Sequence, residues 1–195
     1  MIGCENITGA ILAGGQARRM NGADKGLIAL HGKPLITYVI DALAPQVGTL
    51  IINANRNLDQ YSAFGYPVIQ DAVLGQAGPL AGIASSLLAA KTDYVLIVPC
   101  DSPYLPSDLV ARLAAALIQE RAEIAVAHDG TRMQPVVALL HSNTNQRRAL
   151  VEDILQSLKR GHNKTELWMT SRRLALADFS DQPQAFKNIN TPEDM

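Results

Sequence analysis

The 195-residue sequence predicts an α/β fold with a mostly parallel central sheet and helices on both of its faces. Short apolar, β-branched segments alternate along the chain with longer segments whose apolar residues recur at helical spacing. Right-handed crossovers between parallel strands place such helices on both sides of a sheet. Repeats and low-complexity tracts are absent, and the length suits a single domain over residues 1–195.

The first strand is predicted over residues 7–12, where Ile7, Ile11 and Leu12 indicate a segment buried in the sheet. The strand leads directly into Gly14 and Gly15, which allow backbone N–H groups to come close to an anion. The first connection is therefore a candidate phosphate-binding loop.

The remaining elements follow from periodicity and from proline and glycine at their ends. Pro34 suits the first position of a helix that continues to Pro45, and Pro106 begins another with a clear apolar face. Further helices are predicted over residues 78–90 and 143–161. Strands are predicted over residues 49–52, 66–70, 94–98, 124–127, 136–140 and 174–177.

Composition excludes several classes of protein. The net charge is −1 with dispersed basic residues, so a nucleic-acid partner is not expected. No apolar run approaches the roughly 20 residues of a membrane span, and no secretory signal is visible. The only two cysteines, Cys4 and Cys100, argue against a disulfide scaffold and a cysteine metal site. We expect a cytoplasmic monomer.

The glycine loop matches neither of two common phosphate-binding motifs. In a P-loop a serine or threonine follows the lysine, but Gly26 follows Lys25. A dinucleotide fingerprint needs two later glycines that Gln16 to Arg19 do not supply. Arg19 and Lys25 nevertheless provide positive charge close to the glycines, which suits a triphosphate.

Polar residues follow the predicted strands at the point where each strand ends. Asn53, Asp71 and Asp101 occupy such positions, and carboxyl ends of parallel strands meet at one edge of a sheet. Turn chemistry alone would explain Asn53, and Asp101 could simply cap the turn before Pro103. Together with the glycine loop, however, these residues predict a shared cleft in which Asp101 anchors Mg²⁺.

These segments resemble motifs of the nucleotidyltransferases that activate sugars and cofactors. Leu-Ala-Gly-Gly at 12–15, Arg-Met at 19–20 and Asp-Lys-Gly at 24–26 are most similar to the signature loop of the molybdenum cofactor guanylyltransferases. Segments 78–82, 99–104, 128–135 and 186–194 resemble further motifs of that family, although a proline-started helix and a glycine turn would explain 78–82 and 129–130. The resemblance implies a three-layer, Rossmann-like nucleotidyltransferase fold.

The resemblance also implies roles for individual residues. The part up to about residue 105 would bind the nucleotide, and the remainder would bind the acceptor. Arg19, Lys25 and Asp101 would be catalytic, and Asp101 would hold Mg²⁺, with Mn²⁺ as the alternative ion. The GTP-binding residues would be Leu12, Ala13, Gly14, Gly15, Lys25, Asn53, Asp71, Gly78, Pro79, Leu80 and Asp101. The acceptor-binding residues would be Gln134, Lys164, Asn188 and Asn190.

The implied reaction is transfer of GMP from GTP to the terminal phosphate of molybdopterin carrying molybdenum. GTP and molybdenum-molybdopterin would be the substrates, and the resemblance allows transient contact with molybdenum-insertion proteins or molybdoenzyme chaperones. A molybdopterin cytidylyltransferase and a sugar-1-phosphate nucleotidyltransferase are the alternatives within the superfamily. A non-catalytic nucleotide carrier is the alternative from another class, and in a carrier Asp101 would be dispensable.

Overall fold

The structure is a computed structural model that describes residues 2–14, 24–72 and 78–189. Its strands are β1 (Ile7–Leu12), β2 (Ala29–Leu30), β3 (Lys33–Pro34), β4 (Thr49–Asn53), β5 (Val68–Ile69), β6 (Tyr94–Pro99), β7 (Ile124–His128), β8 (Met133–His141) and β9 (Leu174–Asp178). Its α-helices are α1 (Leu35–Leu43), α2 (Leu58–Ser62), α3 (Pro79–Ala89), α4 (Leu109–Gln119), α5 (Thr144–Lys159) and α6 (Thr165–Thr170). Among the helices that these residues form, none has the length and apolar content needed to cross a membrane.

Seven strands form the central sheet in the order β5-β4-β1-β6-β8-β7-β9. Strand β8 is antiparallel to β6 and β7, and the other pairs are parallel. The carboxyl ends of six strands therefore lie at the same edge as the amino end of β8. In this register Leu12 lies between Asn53 and Pro99, so the first loop leaves the middle of that edge.

Two apolar layers cover the faces of the sheet. Ile11 packs in the layer with α1 and α4, whereas Ala10 packs in the layer with α3, α5 and α6. Adjacent residues of a strand point to opposite faces, so β1 contributes to both layers and is buried throughout. The prediction of a mostly parallel sheet with helices on both faces is confirmed.

Several elements differ from their predicted limits. The strand predicted at 66–70 is only Val68–Ile69, and the helix predicted from Pro106 begins at Leu109, after a turn closed by a bond from the Leu109 amide to the Pro106 carbonyl. Strand β8 is longer than predicted, since its start pairs with the end of β7 beyond a bulge. The β2–β3 hairpin and α2 were not predicted, because elements of two to five residues are too short to show periodicity.

Candidate active site

Asp101 and Lys25 form an ion pair at the carboxyl edge of the sheet. Asp101 follows β6 and is 7% exposed, and its Oδ2 accepts a hydrogen bond from Lys25 Nζ over 3.0 Å. The other carboxylate oxygen, Oδ1, is buried and has no hydrogen-bond partner among the described residues. A buried carboxylate oxygen without a partner is costly, and a bound cation would satisfy it.

The backbone around Asp101 is held from both sides. The Cys100 amide donates to the Leu12 carbonyl over 3.1 Å, which extends the β1–β6 ladder by one residue. On the other side, the Ile189 amide donates to the Asp101 carbonyl over 2.9 Å. Burial raises the pKa of the Cys100 thiol, so this side chain is a small neutral residue packed beside the carboxylate.

The donor set around Asp101 suits magnesium. Mg²⁺ prefers oxygen ligands and usually takes one or two carboxylates, with waters and substrate phosphates completing its octahedron. In the described part of the chain, no cluster of three or more His, Cys, Asp or Glu residues could hold a metal by itself. Asp101, with its unpartnered Oδ1, could therefore supply one ligand of such an ion, with the remaining ligands coming from water or a bound phosphate.

A second polar cluster lies at the ends of β4 and β5. Asn53 Nδ2 donates to Asp71 Oδ1 over 3.0 Å, and Asn55 Nδ2 donates to Asp71 Oδ2 over 2.8 Å. Asn53 is only 2% exposed, whereas Asp71 is partly exposed. The structure thus brings the predicted residues Asn53 and Asp71 together, and it adds Asn55, whose amide lies close to Gly14.

The start of α3 packs against this cluster. A Cβ atom on Gly82 would lie 2.5 Å from Asn53 Oδ1, so only glycine allows the helix to approach this closely. Ser85 Oγ accepts from the Ala72 amide over 2.9 Å and donates to the Ala81 carbonyl, which ties the residue after Asp71 to the helix. Helix α3 therefore helps to define where the Asp71 carboxylate points.

The other residues predicted to bind the nucleotide differ in how far they are exposed to solvent. Gly14, Gly78 and Pro79 are exposed, whereas the Leu80 side chain is fully buried in the core. Leu12 and Ala13 are also buried, and the Ala13 amide already donates to the Asn53 carbonyl over 2.8 Å. Gly15 and Arg19 lie outside the described residues.

The predicted acceptor residues occupy two places at the same edge. Asn188 Oδ1 accepts from Ser102 Oγ over 2.7 Å, next to Asp101, and Asn190 lies outside the described residues. Gln134 stands at the start of β8, where its Nε2 donates to Asp129 Oδ2 over 2.7 Å. Lys164 lines an open groove of about 440 Å³ together with residues 135–136 and 165–167.

Asp129 organises the turn between β7 and β8. Its Oδ1 accepts from the backbone amides of Arg132 and Thr131, each over 2.8 Å. The hydrogen bond from the Arg132 amide lowers the pKa of Asp129, and the hydrogen bonds from the Thr131 amide and from Gln134 lower it further. Together they outweigh burial, which would raise this pKa. The sequence suggested a glycine turn here, and the structure shows that the aspartate also orients Gln134.

These features define the class of protein: an open-sheet α/β protein with polar clusters across the carboxyl edge of its sheet, where proteins of this class bind their ligands. Residues 9–173 match the family model described as the MobA-like NTP transferase domain. The chain therefore belongs to the MobA-like NTP transferase family, and it is an enzyme of the nucleotidyltransferase class.

Named relatives agree with this assignment. The chain is 49% identical over 187 residues to the molybdenum cofactor guanylyltransferase of Shewanella loihica, covering 96% of this chain and 92% of that protein. A relative with the same name from Shewanella halifaxensis is 48% identical over 187 residues, covering 96% and 90% of the two chains.

Solved structures show the same fold. Molybdopterin-guanine dinucleotide biosynthesis protein A from Archaeoglobus fulgidus superposes with a TM-score of 0.75 at 20% identity, covering 96% of this chain and 94% of that one. A nucleotidyl transferase from Methanothermobacter gives a TM-score of 0.72 at 18% identity, covering 96% and 93%. At these identities the likeness concerns the fold alone.

Proposed function

We propose that this enzyme transfers GMP from GTP to the terminal phosphate of molybdenum-carrying molybdopterin. The products are pyrophosphate and the molybdopterin guanine dinucleotide cofactor. The observation on which the proposal rests is the ion pair between Lys25 and Asp101, in which Asp101 Oδ1 has no partner among the described residues. This oxygen could bind the metal ion that accompanies a triphosphate. The 49% identity to a molybdenum cofactor guanylyltransferase supports the choice of nucleotide and acceptor, and it disfavours the cytidylyl and sugar-phosphate alternatives.

The reaction depends on the positioning of the two substrates more than on proton transfer. An oxygen of the acceptor phosphate forms a bond to the α-phosphorus of GTP, and the bond from that phosphorus to the β-phosphate oxygen breaks. The bonding electrons leave with pyrophosphate. The acceptor phosphate is largely ionised at neutral pH, so it needs no general base. Lys25, and Arg19 as the sequence predicts, would stabilise the charge that develops on pyrophosphate.

We assign Asp101 as the protein ligand of Mg²⁺, with Mn²⁺ as the alternative ion. When bound, the ion would neutralise charge on the phosphate oxygens as a Lewis acid. Asp101 would hold it through Oδ1, while Oδ2 keeps the hydrogen bond from Lys25. Lys25 would then be fixed beside the same phosphates.

The Asn53–Asp71–Asn55 cluster suits guanine. A carboxylate can accept from the N1–H and the 2-amino group of guanine together, whereas cytosine offers no such pair of adjacent donors. Asn53 is buried, so we propose that it acts by orienting Asp71 and not by touching the base. Gly78 and Pro79, which are exposed at the start of α3, would lie beside the nucleotide.

The acceptor would bind on the β8 side of the same edge. Because Gln134 donates from Nε2 to Asp129, its amide carbonyl points away from Asp129 and can accept from ring N–H groups of a pterin. Lys164 would contact the acceptor phosphate, and Asn188, with the predicted Asn190, would complete the site near Asp101.

We further propose that the enzyme works as a monomer in the cytoplasm. The two cysteines form no disulfide, and one is exposed while the other is buried, which suits a reducing compartment. Light scattering of the purified protein would measure its mass, and a stable dimer would contradict the monomer.

A nucleotide panel tests the proposed reaction. Pyrophosphate release is measured with Mg²⁺, molybdenum-loaded molybdopterin and each of GTP, CTP, ATP and UTP, and then with sugar phosphates as acceptors. We expect release with GTP and molybdopterin only. A preference for CTP, or turnover with sugar phosphates, would contradict the proposal.

Substitution of Asp101 tests the site itself. Asp101→Asn should lower turnover about 100- to 1,000-fold, the loss typical of one key electrostatic group, without unfolding the protein. Asp93→Asn is the matched control, since Asp93 is exposed at the opposite end of the same strand. Wild-type activity in Asp101→Asn would remove the assigned metal role and favour the carrier alternative.

A further inference from the structure

Asp24, the residue before Lys25, is buried and fully engaged. It is 8% exposed, and its Oδ1 accepts a short hydrogen bond from the Tyr61 hydroxyl. Its Oδ2 accepts from Asn57 Nδ2 over 3.1 Å. A buried carboxylate is tolerated only when it is paired in this way. Because the carboxylate is almost wholly buried and both of its oxygens have partners, Asp24 is held in one place and is not accessible to a ligand.

The backbone after Asp24 forms a tight turn above Tyr61. The Leu27 amide donates to the Asp24 carbonyl over 3.0 Å, and the Ile28 amide donates to the Lys25 carbonyl over 3.2 Å. Gly26 is buried inside this turn, and a Cβ atom there would lie 2.7 Å from the Tyr61 hydroxyl oxygen. The tyrosine hydroxyl therefore lies directly against the segment that carries Lys25.

Tyr61 is well suited to hold this segment still. It lies on α2 with no exposed surface, and burial raises its pKa, so the hydroxyl stays protonated and donates to Asp24. Asn57 adopts a left-handed conformation with φ of 50° at the start of α2, which aims its amide at Asp24. Among the described residues, both side-chain partners of Asp24 therefore come from one short segment.

The same segment also serves the base end of the site. Asn55, two residues before Asn57, donates to Asp71, and Asn53 donates to the other oxygen of Asp71. Residues 53–61 thus contact the carboxylate proposed for guanine and also hold the turn that precedes the lysine proposed for phosphate. Residues 53–61 therefore determine the distance between the base end of the nucleotide site, at Asp71, and its phosphate end, at Lys25.

We propose that Tyr61 and Asn57 are positioning residues for Lys25. Through Asp24 they place the Lys25 turn so that its Nζ lies beside Asp101 before GTP arrives, and they keep that turn in register with the guanine-binding carboxylate. The inference rests on the proposed role of Lys25 toward the triphosphate. Tyr61 has no exposed surface, so it can act only through the lysine, and Asn57 acts through the same Asp24 carboxylate.

Tyr61→Phe tests the inference with the smallest change, because it removes the hydroxyl and keeps the ring. We expect GTP with Mg²⁺, measured by calorimetry without acceptor, to bind at least tenfold more weakly, and kcat to fall by a similar factor while the KM for the acceptor is unchanged. Asn57→Gly, which keeps the left-handed backbone, should weaken GTP in the same direction. Tyr66→Phe is the control, since Tyr66 lies near the opposite edge of the sheet, and should leave both values unchanged.

A double substitution separates positioning from general damage. If Tyr61 acts through Lys25, Tyr61→Phe should weaken GTP tenfold in the wild-type background but less than twofold in the Lys25→Ala background. An equal effect in both backgrounds, or no effect of Tyr61→Phe while Lys25→Ala weakens GTP, would overturn this inference alone. Unchanged GTP affinity in Lys25→Ala would overturn the proposed role of Lys25, and this inference with it. Should Tyr61→Phe fail to fold, Asn57→Gly decides by the same comparison.

Discussion

Asn55 and Asp71 bind each other twice: Asn55 Nδ2 donates to Asp71 Oδ2 over 2.8 Å, and the Asp71 amide donates to Asn55 Oδ1 over 2.9 Å. The pair lies beside Gly14 at the carboxyl edge of β4 and β5. This reciprocal contact fixes both the side chain and the backbone of the carboxylate that we propose for guanine recognition.

We therefore expect Asn55→Asp to weaken GTP binding more than tenfold. The substitution places a second negative charge against Asp71 where an amide donor stood, and like charges at this distance repel. Asn55→Ala should weaken GTP less, since it removes a donor without adding charge. Calorimetry with GTP and Mg²⁺ measures both, and equal affinity of Asn55→Asp and the wild type would argue against Asp71 in base recognition.

Gly82→Ala should also impair nucleotide binding, although alanine favours helices by about 1 kcal/mol over glycine. Its Cβ would lie 2.5 Å from Asn53 Oδ1 and would displace the amide that orients Asp71. We expect a lower melting temperature and weaker GTP binding. Adding Asn53→Ala should restore most of the stability because the contact with Asn53 Oδ1 disappears, but it should not restore affinity. Recovery of GTP affinity in the double variant would show that Asn53 does not orient Asp71.

Asp129→Ala should raise the KM for the acceptor about tenfold and leave the affinity for GTP unchanged. The turn loses two hydrogen bonds from backbone amides to the Asp129 side chain, and Gln134 loses the partner that orients its amide. Steady-state kinetics with varied molybdopterin measure the effect. Gln134→Ala in the Asp129→Ala background should add little, since the orientation is already lost. Independent, multiplying effects would show that Asp129 does not act through Gln134.

The ionised Asp153 side chain should make the free energy of unfolding fall at acid pH. Burial alone would raise its pKa, but hydrogen bonds from Arg172 and Trp168 together lower it. A carboxylate with a lowered folded pKa stabilises the protein above its unfolded pKa of about 3.9 and loses that contribution as pH falls through the folded pKa. The bonds tie α6 to α5, next to the groove that Lys164 lines.

Urea unfolding from pH 3 to pH 7 checks this prediction. The wild type should exceed Asp153→Asn by about 0.5–1 kcal/mol at neutral pH, a small value because Asp153 is partly exposed to solvent. The difference should stay level from pH 7 down to about pH 5 and shrink below about pH 4. A difference that grows as the pH falls would contradict the assigned direction.

The fold was largely predictable because most of its elements are long enough to repeat a pattern. The helix predicted from Asn143 begins at Thr144 with the Asn143 side chain capping the Gln146 amide. The strands buried on both faces, such as β1 and β6, are continuous apolar runs. The β2–β3 hairpin was missed, since its His31 and Gly32 turn joins strands of only two residues.

The candidate site was predictable as a set of strand ends and not as a set of contacts. Asn53, Asp71 and Asp101 could be named because parallel strands share an edge, and Lys25 because of its place after the glycine loop. Asn55 carried a usable signal, since it lies two residues after Asn53, and alternate residues of an extended chain face the same side. Asp129 lay in a segment predicted as a turn, but its contact with Gln134, like the contact of Ser85 with Ala72, could not be predicted, because these contacts depend on how a turn and a helix pack.

The sequence alone determined the order of the elements, the polar residues at their ends and the resemblance of the glycine loop to that of the guanylyltransferases, because these depend on local pattern. Only the tertiary structure decided which of these residues meet. Lys25 and Asp101 are 76 positions apart in the chain, and Tyr61 reaches Asp24 across 37. Contacts at such separations arise from sheet order and close packing, which local sequence does not encode.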